Sequence, residues 1–72
     1  MSEDVRRTVG ENVRRLRIVA GLSQAELAER MGVDRSYVSG LERGQRNPTV
    51  LTLWHLSEAL GAKLQHLVKA PR

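Results

Sequence analysis

The chain has no cysteine among its 72 residues. A disulfide framework and a cysteine zinc site are therefore excluded. Tyr37 and Trp54 are its only aromatic residues, so a core has to be built from aliphatic side chains. Two prolines and six glycines are too few for a disordered or collagen-like chain. No apolar run approaches the length of a membrane span, and nothing resembles a secretory leader. A cytoplasmic location and no membrane partner are the expectation. Apolar–polar alternation is nowhere sustained, which argues against strands. A chain of this length suits one small domain, residues 1–72, with a single core.

Twelve Lys and Arg stand against eight Asp and Glu, a formal net charge of +4. This favours an anionic partner, but the excess is modest and its distribution matters more than its size.

Five helices are expected. The first runs from about Val5 or Thr8 to Val19 or Ala20, with an inward stripe of Val5, Val9, Val13, Leu16 and Ala20. Gly21 follows as its stop. Ser23, with Glu26 three residues on, reads as a capping box that opens the second helix, behind an apolar Leu22. Leu27, Ala28 and Met31 point inward, and the small Ala25 and Ala28 suit a close helix crossing. Gly32 ends that helix, and Asp34 is the candidate cap of the third. Val38 and Leu41 form the buried face of the third helix, which Gly44 terminates. Thr49 caps a fourth helix with the stripe Val50, Leu53, Leu56 and Leu60, closed by Gly61. A last helix, about Lys63–Lys69, offers Leu64, Leu67 and Val68 as a lid. Residues 1–4 and 70–72 are expected to be loose.

The most informative stretch is SQAELAERMGVDRSYVSGLE, residues 23–42. Two short amphipathic helices around a Gly32-Val33 break form a helix-turn-helix pattern, whose second helix can enter the DNA major groove. Arg35 leads the candidates for base reading, because its fork can bond guanine O6 and N7 together. Ser36, Tyr37 and Ser39 join it. Tyr37 either touches sugar or a thymine methyl, or packs against the first two helices. Ser23 and Gln24, at the start of the second helix, suit a phosphate. Arg43, Gln45, Arg46 and Asn47 suit a second phosphate clamp, which sets register and carries little sequence information. Gly40 is costly within a helix. Its missing side chain either admits DNA or lets Arg35 swing across, or is a tolerated weak position. Arg6 and Arg7 reach flanking backbone or are plain surface groups. Arg17 and Glu42 form a partly buried pair that locks the first helix to the third.

Other chemistry is poorly supported. His55 and His66 lack a third ligand close by, so no metal site is expected. The serines are explained by caps or exposed positions, and no glycine-rich phosphate loop exists. No catalytic residue, enzyme activity or cofactor is expected.

The pieces RRLRIVAGLSQAELAERMGV and DRSYVSGLERGQRNPTVLTLWHLSEALG resemble the lambda repressor/Cro family, also called the XRE family, over residues 9–68. That resemblance implies an all-α, compact five-helix bundle of the lambda repressor-like DNA-binding type, with the helix-turn-helix at 23–42. It matches Gln24 to the family's phosphate-bonding glutamine, and Arg35 and Ser36 to base-reading positions. Arg17 and Glu42 match the family's structural pair, and Arg46 and Asn47 its phosphate-approaching loop. At Gly40 many members carry a longer base-contacting residue, so this chain departs from the pattern there. The run DRSYVSGLERGQRNP also resembles restriction–modification controller proteins.

A homodimer is expected on double-stranded DNA, because one short helix reads few base pairs and two copies read two half-sites. Leu51, Trp54, Leu64, Leu67 and Val68 are the candidate dimer patch, although Trp54 can equally cover the monomer core. Two functions compete. One is a homodimeric transcription regulator, repressor or activator, on a palindromic operator. The other is a protein-binding module or antitoxin with little base readout. No separate effector-sensing domain is expected.

Overall fold

The computed structural model describes residues 4–70. It has five helices: α1 (Val5–Val19), α2 (Gln24–Met31), α3 (Arg35–Glu42), α4 (Val50–Leu60) and α5 (Leu64–Val68). No strand occurs among the described residues. Of the ends expected to be loose, residues 1–3 and 71–72 lie outside the described residues. Asp4 does not fit that expectation: its carboxylate caps α1 by accepting the Arg6 backbone N–H at 3.0 Å. Hydrogen bonds from the Arg6 side chain and backbone hold the Asp4 carboxyl below its ordinary pKa.

Each helix contributes to one aliphatic core. Val9 and Val13 come from α1, Leu27 and Ala28 from α2, Val38 and Leu41 from α3, Leu56 and Leu60 from α4, and Leu67 from α5. The expected stripes hold in their middles and fail at some of their ends, although Leu60 at the end of α4 is buried. Val5 is 62% exposed and Val50 76% exposed, and Ala20 and Ala25 also face solvent. Periodicity marks the inward face of a helix, but not where the neighbouring helix stops covering it. Leu67 is fully buried and leaves the expected dimer patch; Leu64 packs against the core beside it.

Several starts and stops follow local chemistry. Ser23 Oγ accepts the Glu26 N–H at 3.0 Å, and Glu26 Oε1 accepts the Ser23 N–H at 2.8 Å. The bond from the Ser23 backbone holds the Glu26 carboxyl below its ordinary pKa. Thr49 Oγ1 caps α4 by accepting the Thr52 N–H at 3.1 Å. Asp34 stands at the cap position of α3 without a side-chain cap bond. The left-handed turn at Gly32 and the extended backbone of Asp34 set that helix start instead.

The seam between α1 and α3 depends on Gly10. A Cβ there would stand 2.4 Å from the Leu41 carbonyl oxygen and 2.8 Å from that of Glu42. The two backbones therefore touch. Asn12, on the same helix, is also buried. Its Nδ2 donates to the carbonyls of Leu67 and Lys69, both at 2.8 Å. A helix as short as α5 leaves its last carbonyls open, and Asn12 fills that need from outside.

The expected pair is present and joins more elements than the two helices it was expected to lock. Arg17 Nε donates to Glu42 Oε2 at 2.6 Å, and Arg17 Nη2 donates to Oε1 at 3.1 Å. Arg17 Nη1 also donates to the Leu22 carbonyl at 2.8 Å, tying down the α1–α2 turn. The side chains are only 12% and 2% exposed. The hydrogen bonds to Glu42 raise the Arg17 pKa above its already high value, so Arg17 stays charged.

Two stability outcomes follow, both readable by denaturant unfolding. Gly10→Ala destabilises the fold by about 1–3 kcal/mol, because the clash is with backbone rather than a movable side chain. Glu42→Ala costs roughly 3–5 kcal/mol, since it strands a partly buried guanidinium, whereas replacing Arg17 by Met and Glu42 by Leu together recovers most of that loss. Equal losses in the single and double variants would contradict the paired role.

Candidate DNA interface

Helices α2 and α3 meet across the Gly32-Val33 turn, and α3 packs on both α1 and α2. Val38 and Leu41 anchor it from below with no exposed surface. Its first turn is left open. Arg35 and Ser36 are exposed, and their side chains make no hydrogen bond or ion pair among the described residues. The loop after α3 adds Arg43, Gln45, Arg46 and Asn47, all exposed. Between Asp34 and Asn47 the only other carboxylate, Glu42, is buried against Arg17. The exposed surface of this segment is accordingly cationic.

Several of the candidate side chains already hold partners within the chain. Gln24 is partly buried, and its Nε2 donates to Glu42 Oε1 at 3.1 Å. Part of its hydrogen-bonding capacity thus goes inward, to the buried carboxylate, because Glu42 has acceptor lone pairs that Arg17 does not fill. Ser23 is exposed but already engaged as the α2 cap. Ser39 is half-buried, and its Oγ accepts a hydrogen bond from Arg43 Nη1. Arg43 also donates through Nε to Gln45 Oε1 at 3.3 Å. Ser39 therefore presents an arginine it holds, more than a bare hydroxyl.

Tyr37 takes the packing role and adds a contact that the sequence did not suggest. Its ring packs partly against the core, and it also faces a cation, the Arg46 guanidinium carbon 5.3 Å from the ring centroid. Gly40 departs from both expectations of open space. It is buried, and a Cβ there would stand 3.1 Å from Arg46 Nε and 3.4 Å from Arg46 Cγ. The missing side chain is replaced by the chain's own Arg46, so Arg35 has no vacancy to cross. Residues 37 and 40 share a helix face, which was legible beforehand. That Arg46 returns to this face was not, because the return depends on how the chain turns after Glu42.

Helices α4 and α5 carry a separate feature. Val50, Leu51, Trp54 and Val68 are exposed apolar side chains, with Trp54 52% accessible. A shallow cavity of about 290 Å³ includes Val68 of these and is lined further by Val5, Val9, Asn47, Pro48 and Leu53. Val50 and Val5 were not expected there. Trp54 is only half covered by the monomer. His55 and His66 are both exposed, and no group of three or more potential metal ligands occurs among the described residues. No helix among these residues is long and apolar enough to cross a membrane.

Comparison with known proteins agrees with this geometry. The chain is 51% identical over 65 residues to the uncharacterized HTH-type transcriptional regulator y4dJ of Sinorhizobium fredii, covering 90% of this chain and 84% of that one. The fold superposes on the hypothetical transcription factor NHTF from Neisseria with a TM-score of 0.89 and 37% identity, covering 94% and 78% of the two chains. The restriction–modification controller protein C.AhdI from Aeromonas hydrophila matches at a TM-score of 0.82 and 44% identity, covering 86% and 90%. These relatives are regulators rather than enzymes by their descriptions. The family model described as helix-turn-helix, HTH_3, matches residues 13–67. The chain belongs to this HTH_3 family of helix-turn-helix transcription regulators, of the XRE or Cro/C1 type.

Proposed function

We propose that the chain is a sequence-specific regulator of transcription that binds a palindromic operator as a homodimer. One observation carries this reading. The first turn of α3 presents Arg35 and Ser36 unpaired, on a rigid helix, beside a cationic loop. That is what base readout with backbone anchoring requires. Arg35 and Ser36 read bases. Arg43, Gln45, Arg46 and Asn47 grip phosphate, and Ser23 and Gln24 add the second backbone contact from the start of α2.

The exposed Leu51, Trp54 and Val68, joined by Val50, form the dimer contact. They lie on α4 and α5, whereas α3 packs mainly on α1 and α2. This placement leaves the recognition helices free when two copies meet. The likeness to C.AhdI supports a narrower version, a controller of a restriction–modification system. A neighbouring endonuclease gene would agree with that version.

Selection from random duplex DNA tests the reading. An enriched two-fold motif with salt-sensitive affinity is the expected outcome. Retention without any enriched motif would instead mark a protein-binding module. Arg35→Ala relaxes discrimination at one base position in each half-site by roughly 1–3 kcal/mol. Arg43→Ala weakens all duplexes by a similar factor and flattens the salt dependence. Sedimentation tests the dimer contact: Trp54→Glu shifts the protein to monomer and leaves its melting temperature nearly unchanged.

A further inference from the structure

The chain turns sharply at the end of α3. Gly44 adopts φ 75°, which a glycine reaches without strain. The Gly44 N–H donates to the Leu41 carbonyl at 3.0 Å, and the Gln45 N–H donates to the Gly40 carbonyl at 2.9 Å. This pair of bonds is the glycine-terminated helix stop known as the Schellman motif. It folds the loop back along α3, so the Arg46 side chain lies over Gly40 while one side of it stays exposed. Arg46 Nε and Cγ fill the space of the missing side chain, and the guanidinium sits over the Tyr37 ring.

We infer that Gly40 and Tyr37 are positioning residues for Arg46, holding its guanidinium against the recognition helix before any nucleic acid arrives. The inference rests on the DNA-binding reading above and adds how one of its cations is preset. A free arginine loses side-chain freedom when it engages a phosphate or a base. An arginine already seated in a gap and over a ring has lost much of it in the free protein. Gly40 thus compensates through Arg46 for the contact that a longer side chain at its own position would make. Helical backbone at Gly40 has no positive φ, so a side chain is tolerated by the backbone and opposed only by Arg46.

The test is a double-variant cycle read on the duplex enriched by selection. Gly40→Ala weakens binding about twofold, and Gly40→Leu, which evicts Arg46 fully, about fivefold. Tyr37→Leu weakens it about threefold. In an Arg46→Ala background, none of these changes has a further effect. Gly40→Ala keeps or raises the melting temperature, since alanine favours helix over glycine, so lost binding is not lost folding. Proton NMR of the free protein gives a readout independent of DNA. The Arg46 δ-methylene protons are shifted upfield by the Tyr37 ring, and Tyr37→Leu and Gly40→Leu both abolish the shift. Unshifted Arg46 protons in the wild type, or equal losses with and without Arg46, would overturn the inference while leaving DNA binding intact. Failure of the wild type to enrich any duplex would instead overturn the DNA-binding reading, and this role with it.

Discussion

Glu42 is an acid placed where water does not reach, and the arrangement of the first three helices answers its need for partners. A buried carboxylate is costly unless its oxygens are hydrogen-bonded. Here Arg17 supplies two bonds from α1, and Gln24 supplies one from the start of α2. Arg17 spends a further donor on the Leu22 carbonyl in the intervening turn. The cluster therefore fixes the end of α3 relative to α1, the α1–α2 turn and α2 together. It also explains why Gly10 is required nearby. Helix α1 approaches the carbonyls of Leu41 and Glu42 too closely for any side chain. A small aliphatic core resists unfolding, but it does not by itself choose one orientation for a helix of eight residues. The polar cluster and the backbone contact supply that choice.

The consequence for function is a division between the two ends of α3. Its C-terminal end is held by Glu42 and turned by Gly44. Its N-terminal end emerges with Arg35 and Ser36 unpaired. Geometry at the exposed end is thus inherited from contacts made at the buried end. The loop that follows is similarly organised, with Arg43 on Ser39 and Arg46 over Gly40 and Tyr37. The cationic surface is a joint product of helix and loop. Leu51 and Trp54 on α4 and Val68 on α5 stay exposed apolar side chains.

Much of this was legible in the sequence. The five helices, the capping box at Ser23 and Glu26, the Thr49 cap, the core residues from Val9 to Leu67 and the Arg17–Glu42 pair all follow from spacing, side-chain chemistry or family resemblance. Most of the misses concern packing between helices. Val5, Ala20 and Val50 sit on the correct stripes but beyond the reach of neighbouring helices. Leu67, expected both as a lid on the core and as a dimer-patch residue, serves as the lid alone, on a helix that Asn12 holds down through its carbonyls. Asp34 has the right residue type for a cap and makes no cap bond. For the stripes and for Leu67, local sequence specified a tendency, and packing between helices distant in sequence decided whether it was used.

The amino-acid order by itself determined the helix-turn-helix, its family and the polar and basic residues on and after its second helix, because capping, periodicity and breaker residues act over a few positions. Tertiary structure alone decided which of those residues are free. It turned Gln24 partly toward Glu42, seated Arg43 on Ser39 and laid Arg46 across Gly40. A side chain's availability depends on neighbours brought close by the fold, and those neighbours are separated from it by turns whose direction no local pattern states.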